Sequence, residues 1–341
     1  MVTDTKLWHT KFRHIVATFA AAVSCNAMVL GAQAQEIELN YGHMNSPTSI
    51  VGLQADWLAE EVAKNTDGKV KIDVYPSSQL GKIQELAEGV SMGSIALSHN
   101  TAGAISSLYE DFGVLDIPYL YRDYDHLMNV VDIHSPVMEK LNQGLIDNTG
   151  MRVLYAFYFG TRQLTADRAI KTPADLAGVK IRAIPSPVYL TAVEGLGAAP
   201  VPVDWSEVPT ALATGIVQGQ ENPVNVALVH KLYDVQSHMM LTGHISAAEI
   251  VVINEEIWQG FPDDVKAGIE KAAETVRHKA SKMILDSEAG DLEQLKEAGM
   301  TIIGPDDGLD VAAFRAGVEK LVHERFDEKY ATYFEEIAAV K

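Results

Sequence analysis

The amino-acid sequence predicts an α/β protein built as two lobes. Three observations carry this. The chain has 341 residues, more than one hydrophobic core usually sustains. Its apolar positions switch repeatedly between the strand period of two and the helix period of 3.6. The connections between these segments are short, so strands alternating with helices should form mostly parallel sheets covered on both faces. Two such blocks without a flexible joint predict lobes connected by crossing strands, with a cleft that can close by a hinge.

The chain opens on a processing segment. Lys6, Lys11 and Arg13 form a positive start, and Ile15 to Leu30 is almost free of charge. Ala32-Gln33-Ala34 supplies a small-x-small site, so residues 1–34 read as a signal peptide cleaved after Ala34. The apolar run is shorter than the ~20 residues a membrane span needs. Ala22-Val23-Ser24-Cys25 is a competing lipoprotein signal with Cys25 as the lipidated residue, although Ala22 stands where a bulky aliphatic is normal. Cys25 is the only cysteine, so the mature chain has no disulfide and no thiolate ligand.

The formal charge is −19. Removing three cations and one anion with the first 34 residues leaves about −21. That balance excludes nucleic acid and anionic membrane surfaces, which need basic patches. An anionic ligand would have to be attracted by local, sheltered cations.

The mature elements follow in order. Ile37 to Tyr41 alternates as a strand, and Pro47 to Lys64 is an amphipathic helix ended by Gly68. Lys69 to Tyr75 is a strand, Lys82 to Val90 a helix, and Ile95 to Ser98 a short strand. A second block begins near Met151 with the apolar strand Arg152 to Phe159. Thr172-Pro173-Ala174-Asp175 has the cap, the proline and the acid of a helix start, and Gly178 ends that turn. Val179 to Ile184 is a strand, Val188 to Leu196 and Trp205 to Thr214 are helices, and Glu249 to Asn254 returns as a strand. Long helices over Pro262 to Glu297 and Val311 to Val340 enclose a strand-like Thr301-Ile302-Ile303.

Catalytic signatures are missing. There is no Gly-x-Ser-x-Gly, His-Glu-x-x-His or Walker loop. Gly195-Leu196-Gly197 follows a helix rather than a strand and reads as a helix end. His126 and His134 read as solvated residues of a surface helix. His238 and His244 lie on an extended stretch without a third ligand near them, so no metal is expected. No cofactor is expected either. The informative residues are Arg162, just after a strand in Gly160-Thr161-Arg162-Gln163, and Arg182, which interrupts the apolar strand Val179 to Ile184. Both could pair with some of the 46 acidic residues instead. Their placement at strand ends, where open α/β sheets bind ligands, favours a ligand role.

Together with Tyr75-Pro76-Ser77-Ser78-Gln79-Leu80-Gly81, Thr172 to Arg182, Ser206-Glu207-Val208 and Gln218-Gly219-Gln220-Glu221-Asn222-Pro223, these segments resemble the DctP-like substrate-binding subunits of tripartite ATP-independent periplasmic (TRAP) transporters. The resemblance runs in order through most of the mature chain. It implies a two-lobed periplasmic-binding-protein architecture with a long helix spanning both lobes. We divide it into lobe I, residues 35–159 plus 248–287, and lobe II, residues 160–247 plus 288–341. It implies a periplasmic, monomeric receptor, not an enzyme, that captures an organic acid and delivers it to the small and large membrane subunits of the transporter; the alternatives are a periplasmic enzyme acting on an organic acid and a ligand-sensing binding protein for a signalling partner. By position, Arg182 would hold the ligand carboxylate in a bidentate pair, Arg162 would support it, and Asn222 would hydrogen-bond it. Trp205 matches an aromatic contact, His99 and Glu249 match contacts to the distal part of the ligand, and His43 to Asn45 match the cleft rim. Gln218 departs from the family's usual Asp. Glu249 stands where some members carry an amide, and as a carboxylate it would repel a second ligand carboxylate. A hydroxylated monoanionic acid is therefore expected over a simple dicarboxylate.

Overall fold

The computed structural model describes residues 37–341. The signal peptide read in residues 1–34, its cleavage site and Cys25 lie outside the described residues. Among the described residues no helix is long and apolar enough to cross a membrane.

Among the described residues nine strands make one sheet: β1 (Ile37–Gly42), β2 (Val70–Tyr75), β3 (Leu97–Thr101), β4 (Met151–Ala166), β5 (Lys180–Ala183), β6 (Ala199–Pro202), β7 (Gly219–Pro223), β8 (His238–Asn254) and β9 (Thr301–Ile303). Their order is β2-β1-β3-β8-β4-β7-β5-β6, with β9 alongside β8. The outer pairs β1–β2, β1–β3, β5–β6 and β5–β7 are parallel, as expected of strands joined through helices. The central pairs β3–β8, β4–β8 and β4–β7 are antiparallel.

The two central strands join the halves of the molecule. The first half of β4 lies against the second half of β8, which in turn pairs with β3. The second half of β4 lies between the first half of β8 and β7. At 16 and 17 residues, each strand reaches roughly 50 Å at about 3.3 Å per residue. The sequence pattern revealed only their apolar parts, 152–159 and 249–254. The remainder carries Thr161, Arg162, Gln163 and Thr165, whose polarity reads as a loop, yet Arg162 and Thr165 are fully buried in the sheet.

The helices follow their capping chemistry. Ser49 caps the helix Ile50–Asn65 by accepting from the Gly52 amide, so that helix starts three residues later than predicted. It ends through a left-handed turn in which the Gly68 amide, at φ 74°, donates to Ala63. The predicted helix from Trp205 to Thr214 is broken into a 3-10 turn, Trp205–Glu207, and a short helix, Val208–Ala213. Asp204 caps the turn by accepting from the Ser206 amide.

The helix Asp263–Glu297 has 35 residues, about 50 Å at 1.5 Å per residue. It packs on the helix Ile50–Asn65, on β4 and on the helix Val224–Val229, so it spans both halves of the sheet. Its Ser281 hydroxyl accepts from the Tyr158 amide at 3.0 Å, and its Glu288 accepts from the Tyr158 hydroxyl at 2.8 Å. His126, expected to be solvated, is buried instead. The C-terminal helix Val311–Ala339 covers it, and its Nε2 bonds the Ile337 carbonyl at 2.9 Å. His134 is exposed, as expected, but it lies in a turn rather than on a helix.

Candidate ligand-binding site

A cavity of about 370 Å³ lies where β4, β7 and β8 meet the ends of β3 and β5. Six of the eight predicted site residues line it: Asn45, Arg162, Arg182, Trp205, Asn222 and Glu249. Phe159, Ile184, Val226 and Ile83 supply apolar walls, and Thr101 adds a hydroxyl. His43 and His99 stand behind Asn45 instead of reaching the cavity.

Two irregularities in β4 flank Arg162. Its register against β8 shifts between Tyr158 and Gly160 and again between Arg162 and Leu164. Such bulges re-aim a side chain. Gly160 is at φ 122°, and a Cβ there would lie 2.7 Å from Pro223 Cβ. Only glycine fits this approach of β4 to β7.

Arg162 is paired within the protein. Its Nε and Nη2 donate to the two carboxylate oxygens of Glu221 at 2.5 and 2.8 Å, and Nη2 also donates to the Glu221 carbonyl at 2.7 Å. Both side chains are fully buried. Burial alone would neutralise Glu221, but Arg162 and a hydrogen bond from His244 overcome it and hold its pKa at about 2. His244 Nε2 lies 3.2 Å from Glu221 Oε2, and Thr242 Oγ1 lies 2.8 Å from its Nδ1. The Thr242 hydroxyl donates to Nδ1, which leaves the Nε2 hydrogen for Glu221. Only Nη1 of Arg162 remains, buried and without a partner among the described residues.

Arg182 is different. Its Nε donates to the Val203 carbonyl at 2.8 Å, and its Nη2 has no partner among the described residues. Among the described residues no carboxylate lies within salt-bridge distance, although Arg182 is 1% exposed. Burial pulls its pKa down to about 10, with Glu221 opposing, so it stays charged at neutral pH. The guanidinium lies 5.8 Å from the centroid of the Trp205 ring. A buried cation without a counterion is costly, and a bound carboxylate would supply the missing partner in planar, bidentate form.

Glu249 lies on β8 opposite Thr101 and Phe157 and faces the cavity. Its Oε2 is buried and unpartnered among the described residues. Burial, reinforced by Asp116 and opposed by Arg162, pushes its pKa up to about 8. This differs from the sequence-based expectation of a repelling carboxylate. At neutral pH the group is mostly a neutral acid that both donates and accepts hydrogen bonds. Asp116 is itself raised to about 6 by burial, although the Gly103 amide at 2.6 Å and the Tyr189 hydroxyl at 2.9 Å donate to it.

His99 and His43 prepare Asn45. The Tyr41 hydroxyl and the Gln54 amide lie 2.9 and 3.0 Å from His99 Nδ1. Nδ1 therefore accepts, and Nε2 donates to Asn45 Oδ1 at 2.7 Å. The Asn45 amide nitrogen is the group left for the cavity. Burial, and then His43, holds the His99 pKa well below the usual histidine range. Burial puts His43 at about 4, so both rings are neutral at neutral pH. Across the cavity, Asn222 is oriented by donating to Gln220 Oε1 at 2.5 Å, and Gln220 Nε2 donates to Thr165 at 2.9 Å.

Glu221 and His244 are site residues that the sequence does not single out: Glu221 sits within the Gln218 to Pro223 turn, and His244 on an extended stretch without a metal partner. Nothing local marks either residue, because their partners are 59 and 23 positions away.

The sequence profile of the bacterial extracellular solute-binding proteins, family 7 (DctP), matches residues 41–329. The chain belongs to this family. The solute-binding protein is 30% identical over 331 residues to the C4-dicarboxylate-binding periplasmic protein DctP of Rhodobacter capsulatus, covering 96% of this chain and 98% of the relative. A crystal structure of a TRAP periplasmic solute-binding protein from Roseobacter denitrificans with bound L-galactonate superposes with a TM-score of 0.83 at 30% identity, covering 89% of this chain and 99% of that one. Another, from Polaromonas sp. JS666 bound to D-erythronate, gives a TM-score of 0.83 at 30% identity over 90% and 99% of the two chains. The two-lobed fold is theirs, and membership makes this chain a substrate-binding subunit of a TRAP transporter rather than an enzyme.

Proposed function

We propose that this solute-binding protein captures a small hydroxylated organic acid, a sugar acid or a C4-type acid, by pairing its carboxylate with Arg182, and delivers it to the small and large membrane subunits of its transporter. One observation carries the reading: Arg182, at the wall of the cavity, is a buried cation without a carboxylate partner among the described residues. Arg162, already joined to Glu221, offers Nη1 to the same carboxylate, and Asn222 offers an amide. Trp205 covers the carbon skeleton. Asn45 and neutral Glu249 meet hydroxyls, with His99 and His43 acting through Asn45.

The relatives' ligands, a C4-dicarboxylate, L-galactonate and D-erythronate, agree with a carboxylate at one end. Neutral Glu249 sharpens the preference for hydroxyls, because it can match both their donor and their acceptor. A thermal-shift screen of sugar acids and hydroxy acids tests this reading, since a ligand raises stability by mass action. A stabilising acid whose effect survives Arg182→Met would overturn it.

Lobe I is assigned to residues 35–159 plus 248–287 and lobe II to 160–247 plus 288–341, with the end of the C-terminal helix reaching back towards His126 of lobe I. Export to the periplasm would proceed by cleavage after Ala34, and the receptor would act as a monomer. Two contacts would hold the lobes shut over the ligand. Lys82 Nζ lies 2.7 Å from Glu207 Oε1, and the Ile83 amide, at the start of the helix Ile83–Ser91, donates to Asp204 Oδ2 at 3.2 Å. The ion pair is exposed and contributes little, whereas Asp204 caps one helix across the cleft while holding the turn that carries Trp205. Asp204→Ala is therefore expected to weaken binding by about 1 kcal/mol, roughly five-fold, mainly through faster release. Stopped-flow dissociation of the bound acid checks it; an unchanged release rate would remove Asp204 from the closure.

A further inference from the structure

A second cavity of about 520 Å³ adjoins the ligand cavity. The two share Asn45 and Val226, and a further residue of the second, His230, packs edge-on against Trp205 of the first with ring centroids 4.8 Å apart. Three segments wall it: the capped start of the helix Ile50–Asn65, the helix Val224–Val229, and the long helix through Ser287 and Asp291.

Its chemistry differs from that of the first cavity. Its lining contains no arginine or lysine. Ser287 Oγ donates to Asp291 Oδ2 at 2.9 Å. Asn225 is 8% exposed; its Nδ2 donates to the Phe159 carbonyl at 3.2 Å, and its Oδ1 is buried with no partner among the described residues. A second carboxylate placed here would meet Asp291 and no cation. A hydroxyl would find acceptors at Asn225 Oδ1 and Asp291, and further polar groups at Thr48 and His230.

We propose that this second cavity is a subsite for the hydroxylated tail of the ligand, which passes between Asn45 and Val226 while its carboxylate stays at Arg182. The inference rests on the arginine reading of the first cavity and adds a length rule. Acids with a long polyhydroxylated chain engage both cavities, and short ones engage only the first. The site thereby selects chain length by polar contacts to the tail rather than by a second charge.

Calorimetric titration of the mature protein with D-erythronate, a four-carbon acid, and L-galactonate, a six-carbon acid, tests this. Two variants alter the second cavity: Ser287→Leu fills the space from a partly exposed helix position, and Asn225→Leu removes the unpartnered amide oxygen together with the hydrogen bond to the Phe159 carbonyl. Galactonate is expected to bind the wild type more tightly than erythronate. Each variant is expected to weaken galactonate about tenfold and erythronate less than about twofold, the size of a lost hydrogen bond. Equal weakening of both acids, or unchanged galactonate binding with both variants folded by thermal melt, overturns the subsite and leaves the arginine reading standing. Failure of both acids to bind the wild type, or binding of either that survives Arg182→Met, overturns the arginine reading and the subsite with it.

Discussion

Arg182→Met is expected to abolish ligand capture and, at the same time, to raise the melting temperature of the ligand-free protein. The two effects share one cause. The guanidinium is buried, its Nε donates to the Val203 carbonyl, and burial and the charge of Arg162 disfavour its ionised form, with Glu221 opposing them only in part. Replacing a poorly compensated buried ion by an apolar side chain of similar volume typically stabilises by about 1–4 kcal/mol. The same replacement leaves a bound carboxylate without its partner, a loss of about 3–5 kcal/mol, or two to three orders of magnitude in affinity. Calorimetric melting of the empty protein and titration with a binding acid measure both. A lower melting temperature combined with affinity within tenfold of wild type would mean that Arg182 is structural. By contrast, Arg162→Met should destabilise the empty protein, because it strands Glu221 at the bottom of the site.

Glu249→Gln is expected to remove most of the loss of stability that accompanies a rise in pH from about 4.5 to about 8. Burial raises the Glu249 pKa from 4.5 to about 8 in the folded chain. Between those values the folded state binds the proton that the unfolded state has released, so stability falls as pH rises through this window. The contribution is fully present below pH 4.5 and is lost by the time pH passes about 8, on the order of 5 kcal/mol in total. Glutamine keeps the shape and stays neutral, so the variant should be more stable than wild type at pH 8 and above. Asp116, raised to about 6 by burial, gives a similar but smaller slope at lower pH that the variant retains. Ligand affinity should follow the same logic. Above about pH 8 the wild type gains a negative charge in the cavity, and binding of an anion should weaken, while the variant should bind with little pH dependence. Urea denaturation and titration calorimetry from pH 5 to 9 check both parts. Parallel stability curves for the two proteins would mean that Glu249 is ionised throughout.

Much of this was legible in the sequence, and the parts that were not share a physical reason. Capped helices and apolar strands announce themselves locally, so the long helices, the parallel outer strands and the turn at Thr172 to Gly178 emerge from periodicity and end chemistry. The crossing strands did not show their length, because β4 and β8 turn polar where they enter the cavity. Polarity in a buried strand looks like a loop until its partners are known. Six of the predicted contacts line the cavity, but only Arg182 and Asn222 do so from near strand ends; Arg162 and Glu249 lie within the long strands β4 and β8, and Trp205 and Asn45 lie in connections. The pairing of Arg162 with Glu221, and of Glu221 with His244, depends on which strands are neighbours. The protonation of Glu249 depends on how completely it is buried and on Asp116, which a single sequence does not reveal. These long-range facts change the roles. In the proposed site Arg162, paired with Glu221, supports the ligand carboxylate, Arg182 pairs with it, and Glu249 offers hydrogen bonds to the distal part of the ligand.

The claim that a ligand carboxylate pairs with Arg182 is tested most directly by a double comparison. A binding acid and its primary amide, equal in shape but not in charge, are titrated into the wild type and into Arg182→Met. The account predicts that the wild type binds the acid at least about a hundredfold more tightly than the amide, and that this preference disappears in the variant. Equal affinity of acid and amide for the wild type, or a preference for the acid that persists without the arginine, would contradict it.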